Sequence, residues 1–63
     1  MIYKTGSLVR IYWFDADDVI FDKTVGIILN MFTGIRSRYA YNVYNIDDKE
    51  IYIFEEPDLE LLS

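Results

Sequence analysis

The chain has 63 residues, carries a net charge of −5, and contains neither cysteine nor histidine. One small domain is expected, with no disulfide and no zinc site of the thiolate or imidazole type. Nucleophilic catalysis that needs Cys–His or Ser–His pairs is excluded as well. A domain of this size buries only about 60% of its unfolded surface, so its stability must come from a dense core. The composition allows that: 52% of residues are hydrophobic and 17% aromatic, with six tyrosines. A buried aromatic removes roughly 150–250 Å² from water.

In chain order, residues 1–6 hold no apolar run of signal-peptide length, and no segment reaches 18 consecutive apolar residues. A soluble chain working inside a cell is therefore expected, with no membrane partner. Gly6 breaks the chain ahead of the first strand, residues 7–14. There Val9, Ile11 and Trp13 alternate with Arg10 and Tyr12, the period of a half-buried strand. Asp15, Asp17 and Asp18 follow in what reads as the tip of a long polar loop, and Val19, Ile20 and Phe21 read as a short strand returning from it. Residues 24–32 form the next strand, and Gly26 inside it signals a bulge or a close backbone approach. Thr33 and Gly34 mark a turn. Residues 38–46 are rich in Tyr and Val, as strands prefer. Asp47 and Asp48 make a tight hairpin turn, and residues 50–54 return from it. Pro57 cannot join a ladder and suits a short helical turn. Leu59, Leu61 and Leu62 finish the chain in a turn or a last strand.

No window shows a 3.6-residue period of helical length. Short strands, tight turns and a Pro-marked turn before a closing segment predict an all-β, small SH3-like barrel of five or six antiparallel strands. A short 3-10 turn near the C-terminus is expected. The blocks GSLVRIYW, VGIILNM, YNVYN and IYIFEEPDLELL resemble those of small SH3-like barrel proteins encoded by tailed bacteriophages. The matching positions are Gly6, Leu8, Val9, Arg10, Gly26, Ile27, Tyr41, Val43, Tyr44, Phe54, Glu55 and Leu59. Ser7 departs from the Asp that the resemblance calls for. The resemblance implies a fold, a phage source, and a place in the host cytoplasm or the virion. It implies no activity.

Three groups of residues are candidates for function. The aspartates of residues 15–22 fail the EF-hand pattern, because its fifth, sixth and twelfth positions fall on Val19, Ile20 and Gly26. They are expected to keep a loop tip wet by bonding nearby N–H groups; the other reading is a loose hard-cation site at Asp15, Asp17 and Asp18. Arg10, Arg36 and Arg38, near Tyr39 and Tyr41, would suit phosphates and stacked bases, but the acidic balance opposes nucleic acid. Residues 1–46 hold five basic and four acidic side chains, a net of +1; residues 47–63 hold seven acidic and one basic, a net of −6. The aromatic surplus is the leading signal. Tyr41, Val43, Ile51 and Ile53 are expected to share one face of the sheet. Tyr44, Tyr52 and Phe54 would lie on the other, near Tyr12 and Phe14. A barrel has one interior, so the second face either binds a protein or caps an open barrel end. The expectation is a non-enzymatic interaction module that binds a host protein, a virion protein or itself through Tyr12, Phe14, Tyr44, Tyr52 and Phe54, together with its acidic C-terminal edge. No cofactor, metal or small-molecule substrate is expected; nucleic-acid binding through the three arginines is the alternative.

Overall fold

The computed structural model describes residues 2–33 and 38–63. The described residues are all-β, with five antiparallel strands among them: β1 (Leu8–Phe14), β2 (Ile20–Thr33), β3 (Tyr39–Asn45), β4 (Glu50–Glu55) and β5 (Leu59–Leu61). A 3-10 turn over Glu56–Asp58, with Pro57 in it, links β4 to β5. The sheet order is β4-β3-β2-β1-β5, which leaves β4 and β5 as its edges. The sheet is open, yet it curls strongly. Trp13 of β1 lies edge-on to Tyr52 and Phe54 of β4, with ring centroids 5.0 and 5.2 Å away.

Two expectations need correction. Val19–Phe21 is not a separate strand after a long loop: one 14-residue strand runs from Ile20 to Thr33, and only residues 15–19 connect it to β1. The polar pair Asp22 and Lys23 hides this continuity, because that half of the hairpin projects into water. Of the two readings of Gly26, a bulge or a close backbone approach, the bulge lies elsewhere. The ladders slip at Phe21, which is skipped between Asp22 and Ile20, and at Leu29, skipped between Ile28 and Asn30. Gly26 instead serves the close approach. A Cβ built there would meet Val43 Cγ1 at 2.6 Å, Ile11 Cδ1 at 2.8 Å and the Tyr44 carbonyl oxygen at 2.9 Å.

The core sits in the concave side of the curl. Val9, Ile11, Ile28, Tyr41, Val43 and Leu59 are buried there, with Trp13 and Phe54 against them. Tyr3, ahead of the Gly6 breaker, joins them: its ring packs on Tyr41 at 5.3 Å. Its hydroxyl donates to the Leu59 carbonyl at 3.1 Å, and its N–H donates to the Tyr41 hydroxyl at 3.2 Å. Residues before β1 thus fasten β3 to β5. Trp13 satisfies its indole N–H on Thr24 Oγ1 at 2.9 Å, the polar outlet that a half-buried Trp needs.

Candidate functional site

Which side chains face solvent follows from the β3–β4 register. Four residues, 46–49, make the hairpin loop, so odd positions of one strand oppose even positions of the other: Tyr41 opposes Phe54, Val43 opposes Tyr52, Tyr44 opposes Ile51 and Asn42 opposes Ile53. Directly opposed residues share a face. Tyr52 and Phe54 therefore turn inward to Trp13 with Tyr41 and Val43. Ile51 and Ile53 turn outward, 59% and 65% exposed. The expected division, with Ile51 and Ile53 inside and Tyr52 and Phe54 on the outer face beside Tyr44, is corrected by one residue of phase along β4.

The convex outer face divides into two halves. Over β5 and the Arg10–Tyr12 part of β1 it is polar. Arg10 Nε lies 3.8 Å from Glu60 Oε1, the Tyr12 hydroxyl donates to the same oxygen at 2.8 Å, and Lys23 Nζ stands 5.8 Å from the Tyr12 ring centroid. Over β2, β3 and β4 it is apolar. Leu8, Ile27, Tyr44 and Ile51 form one cross-strand row. Beside them lie Asn30, Asn42 and Ile53, with the Asn42 amide donating to the Asn30 carbonyl at 3.0 Å. Leu29, at its bulge, is also exposed.

Of the five aromatics expected to form an interaction surface, Tyr44 lies within this apolar half. Tyr12 lies in the polar half. Phe14 is exposed at the end of β1, opposite Ile20, close in sequence to the exposed Val19 and Phe21. Tyr52 and Phe54 face the core side. The Tyr52 hydroxyl also donates a short hydrogen bond to an Asp48 carboxylate oxygen. That bond, with desolvation behind it, raises the Tyr52 pKa above 10.0; the bond to Glu60 does the same for Tyr12.

Of the arginines, Arg10 and Arg38 each face a carboxylate, Arg38 Nη1 at 3.5 Å from Glu55 Oε2. Arg36 lies outside the described residues, as does Gly34 of the expected turn. A cleft of about 450 Å³ opens beside the 3-10 turn, walled by Tyr3, Tyr39, Pro57 and Leu59 with the Arg38–Glu55 pair at its rim.

The aspartates are a turn device. Asp15 Oδ1 accepts the N–H groups of Asp17 and Val19, both at 2.9 Å. The backbone closes the loop with Asp15 N–H to the Val19 carbonyl at 2.9 Å. Asp18 takes a left-handed φ of 59°, which Asp tolerates better than most residues. Among the described residues, no three acidic side chains gather into a cluster that would hold a metal ion.

Sequence reasoning missed Ile51 and Ile53 as surface residues, Tyr3 as a core residue and Asn45 as a buried polar one. Asn45 is 2% exposed and its side-chain oxygen accepts the Asp47 N–H at 2.9 Å. The loop length was the available signal for the first. Comparison with protein-family models, with curated proteins and with solved structures finds no match to this chain.

Proposed function

We propose that this chain is a small SH3-like barrel of bacteriophage origin that acts as a non-enzymatic protein-interaction module in the host cytoplasm or the virion. The barrel reading is supported by the strand order, by the 3-10 turn between β4 and β5, and by the curl that brings Trp13 of β1 against β4. The phage reading rests on the sequence blocks alone.

The observation that carries the interaction reading is the apolar half of the outer face. Ile27, Tyr44, Ile51 and Ile53 lie side by side on three adjacent strands, on the side of the sheet away from the core. Contiguous apolar surface rimmed by polar groups marks binding sites on soluble domains. Tyr44 supplies a large, stiff contact of the kind that interfaces favour. Asp47, Asp48, Glu50 and Glu55, at the two ends of β4, flank this half and favour a partner with basic groups at its rim.

The test is retention from a bacterial lysate, with and without nuclease treatment, by the immobilised chain and by Tyr44→Asp. The reading expects a protein held by the first and lost by the second. Equal retention by both refutes it. Retention that disappears with nuclease would carry the nucleic-acid reading instead.

A further inference from the structure

We infer that the free edge of β4 pairs with β4 of a second copy of this chain, antiparallel about a two-fold axis at Tyr52. This rests on the interaction reading above and names the partner for its β4 side.

The first step is the direction of the backbone groups. In an antiparallel sheet, a residue's N–H and C=O point to one neighbouring strand and the next residue's point to the other. The Ile46 N–H donates to Val25 of β2, and the Asn45 carbonyl accepts from Lys49 on the β4 side. By alternation, Val43 and Tyr41 point to β4, and their partners Tyr52 and Phe54 point back. The N–H and C=O groups of Ile51 and Ile53 therefore point away from β3. Among the described residues, no strand lies on that side and no turn or loop bond reaches them.

The second step is what protects this edge. Natural edges are blunted by Pro, bulges, inward charges or central Lys. Residues 51–54 of β4 read Ile-Tyr-Ile-Phe, with none of these; the one charge on the inward face, Glu50 opposite Asn45, stands at the strand's first residue. The other edge, β5, is only three residues long. An apolar, regular and exposed edge strand is a template for pairing.

The third step is register. Two copies keep their outer faces aligned only if opposed residues have the same parity. The outward-pointing backbone groups of Ile51 and Ile53 must also face each other. Axes at Ile51, Tyr52 or Ile53 meet both conditions. An axis at Ile51 carries Ile53 past the partner's strand onto Lys49, a turn residue with a left-handed φ of 63° whose N–H is already held by the Asn45 carbonyl. An axis at Ile53 opposes Ile51 to the partner's Glu55. The axis at Tyr52 alone opposes Ile51 to the partner's Ile53, twice by symmetry and within the residues of β4 itself. It places like with like in the middle and brings Glu55 of each copy to the end of the partner's strand where the Lys49 turn begins, so that opposite charges meet at both ends. The apolar row of Ile27, Tyr44 and Ile51 then continues across the axis into the same row of the partner.

The experiment is sedimentation equilibrium of the full chain from micromolar to millimolar concentration, with Ile53→Pro and Tyr44→Asp beside it. Ile53→Pro removes an N–H that points away from β3, a place where an edge strand tolerates Pro, and circular dichroism checks that the sheet is kept. The expected result is a monomer–dimer equilibrium that Ile53→Pro weakens roughly tenfold or more. The native chain has no cysteine. Mixed Ile51→Cys and Ile53→Cys chains should therefore cross-link to each other in preference to themselves. A monomer at every concentration overturns the inference. So does a dimer indifferent to Ile53→Pro, or preferential cross-linking of Ile51→Cys to itself. If the chain stays monomeric while Tyr44→Asp still abolishes capture from lysate, this inference fails and the interaction reading stands.

Discussion

Gly26→Ala probes the packing on which the curled sheet depends. The added methyl would lie 2.6 Å from Val43 Cγ1 and 2.8 Å from Ile11 Cδ1, and both side chains are fully buried with no route into solvent. The third neighbour, the Tyr44 carbonyl oxygen at 2.9 Å, belongs to the backbone of β3 and moves only with the strand. Overpacking of this kind costs about 1–3 kcal/mol. Replacing Gly by Ala in a strand returns roughly 0.5–1 kcal/mol through chain entropy, which leaves a net loss of about 1–2 kcal/mol. A 63-residue domain has about 3–9 kcal/mol in all, at roughly 0.05–0.15 kcal/mol per residue. For so small a domain each kcal/mol shifts Tm by about 4–8 °C, so the variant should melt roughly 5–15 °C below the native chain. Thermal unfolding followed by circular dichroism reads this directly. A Tm within about 2 °C of the native value would mean that β2 and β3 are not pressed together at Gly26, and that the register built on that contact is wrong.

Other perturbations act at the turn and through protons. Asp15→Ala strips two N–H groups of their acceptor and should cost about 1 kcal/mol, measured by urea unfolding; an unchanged midpoint would return these aspartates to some other role. The phenols of Tyr3, Tyr12 and Tyr52 are held above 10.0, by burial for the first and by hydrogen bonds to Glu60 and Asp48 for the others. Their neutral forms are favoured by the fold, so their contribution is intact below pH 10.0 and is lost as pH rises through the raised values. Tyr12→Phe with Tyr52→Phe should flatten the alkaline loss of stability, and an unaltered alkaline limb would count against both bonds. Asp58 is raised above 3.8, chiefly by desolvation and then by the Glu55 charge. Its ionised form therefore weighs against the fold at neutral pH, and this burden lifts as pH falls through the raised value. Asp58→Asn should stabilise the chain near pH 7 and lose that advantage toward pH 4; a destabilised variant near neutrality would contradict this.

How much of this was legible depends on what each signal encodes. The alternation in residues 8–13 gave β1 its period and its face, because only one set of side chains there is uniformly apolar. In β3 and β4 both sets are apolar or aromatic, so the period survives but the phase does not. The even length of the loop decides it: a turn at Asp47–Asp48 alone and the four residues 46–49 set the same register, which opposes Ile51 to Tyr44 and Ile53 to Asn42, and the outward placing of both isoleucines follows from that pairing rather than from their apolar character. The Gly26 signal named two causes, and packing selected the close approach while the bulge moved to Leu29. Tyr3 was hidden because a chain segment before a glycine breaker carries no period; its place comes from long-range bonds to Leu59 and Tyr41. The aspartates were readable because a turn of this kind is local, and Asp15 reaches no farther than Val19.

The claim that the β4 edge pairs with a second copy of this chain meets its most direct test in amide hydrogen exchange, residue by residue, across a range of concentration. The Tyr52 amide points into the β3 ladder and should be protected throughout. The Ile51 and Ile53 amides should exchange freely in dilute solution and become protected as the concentration rises. Ile51 and Ile53 amides that stay fast at every concentration would contradict it.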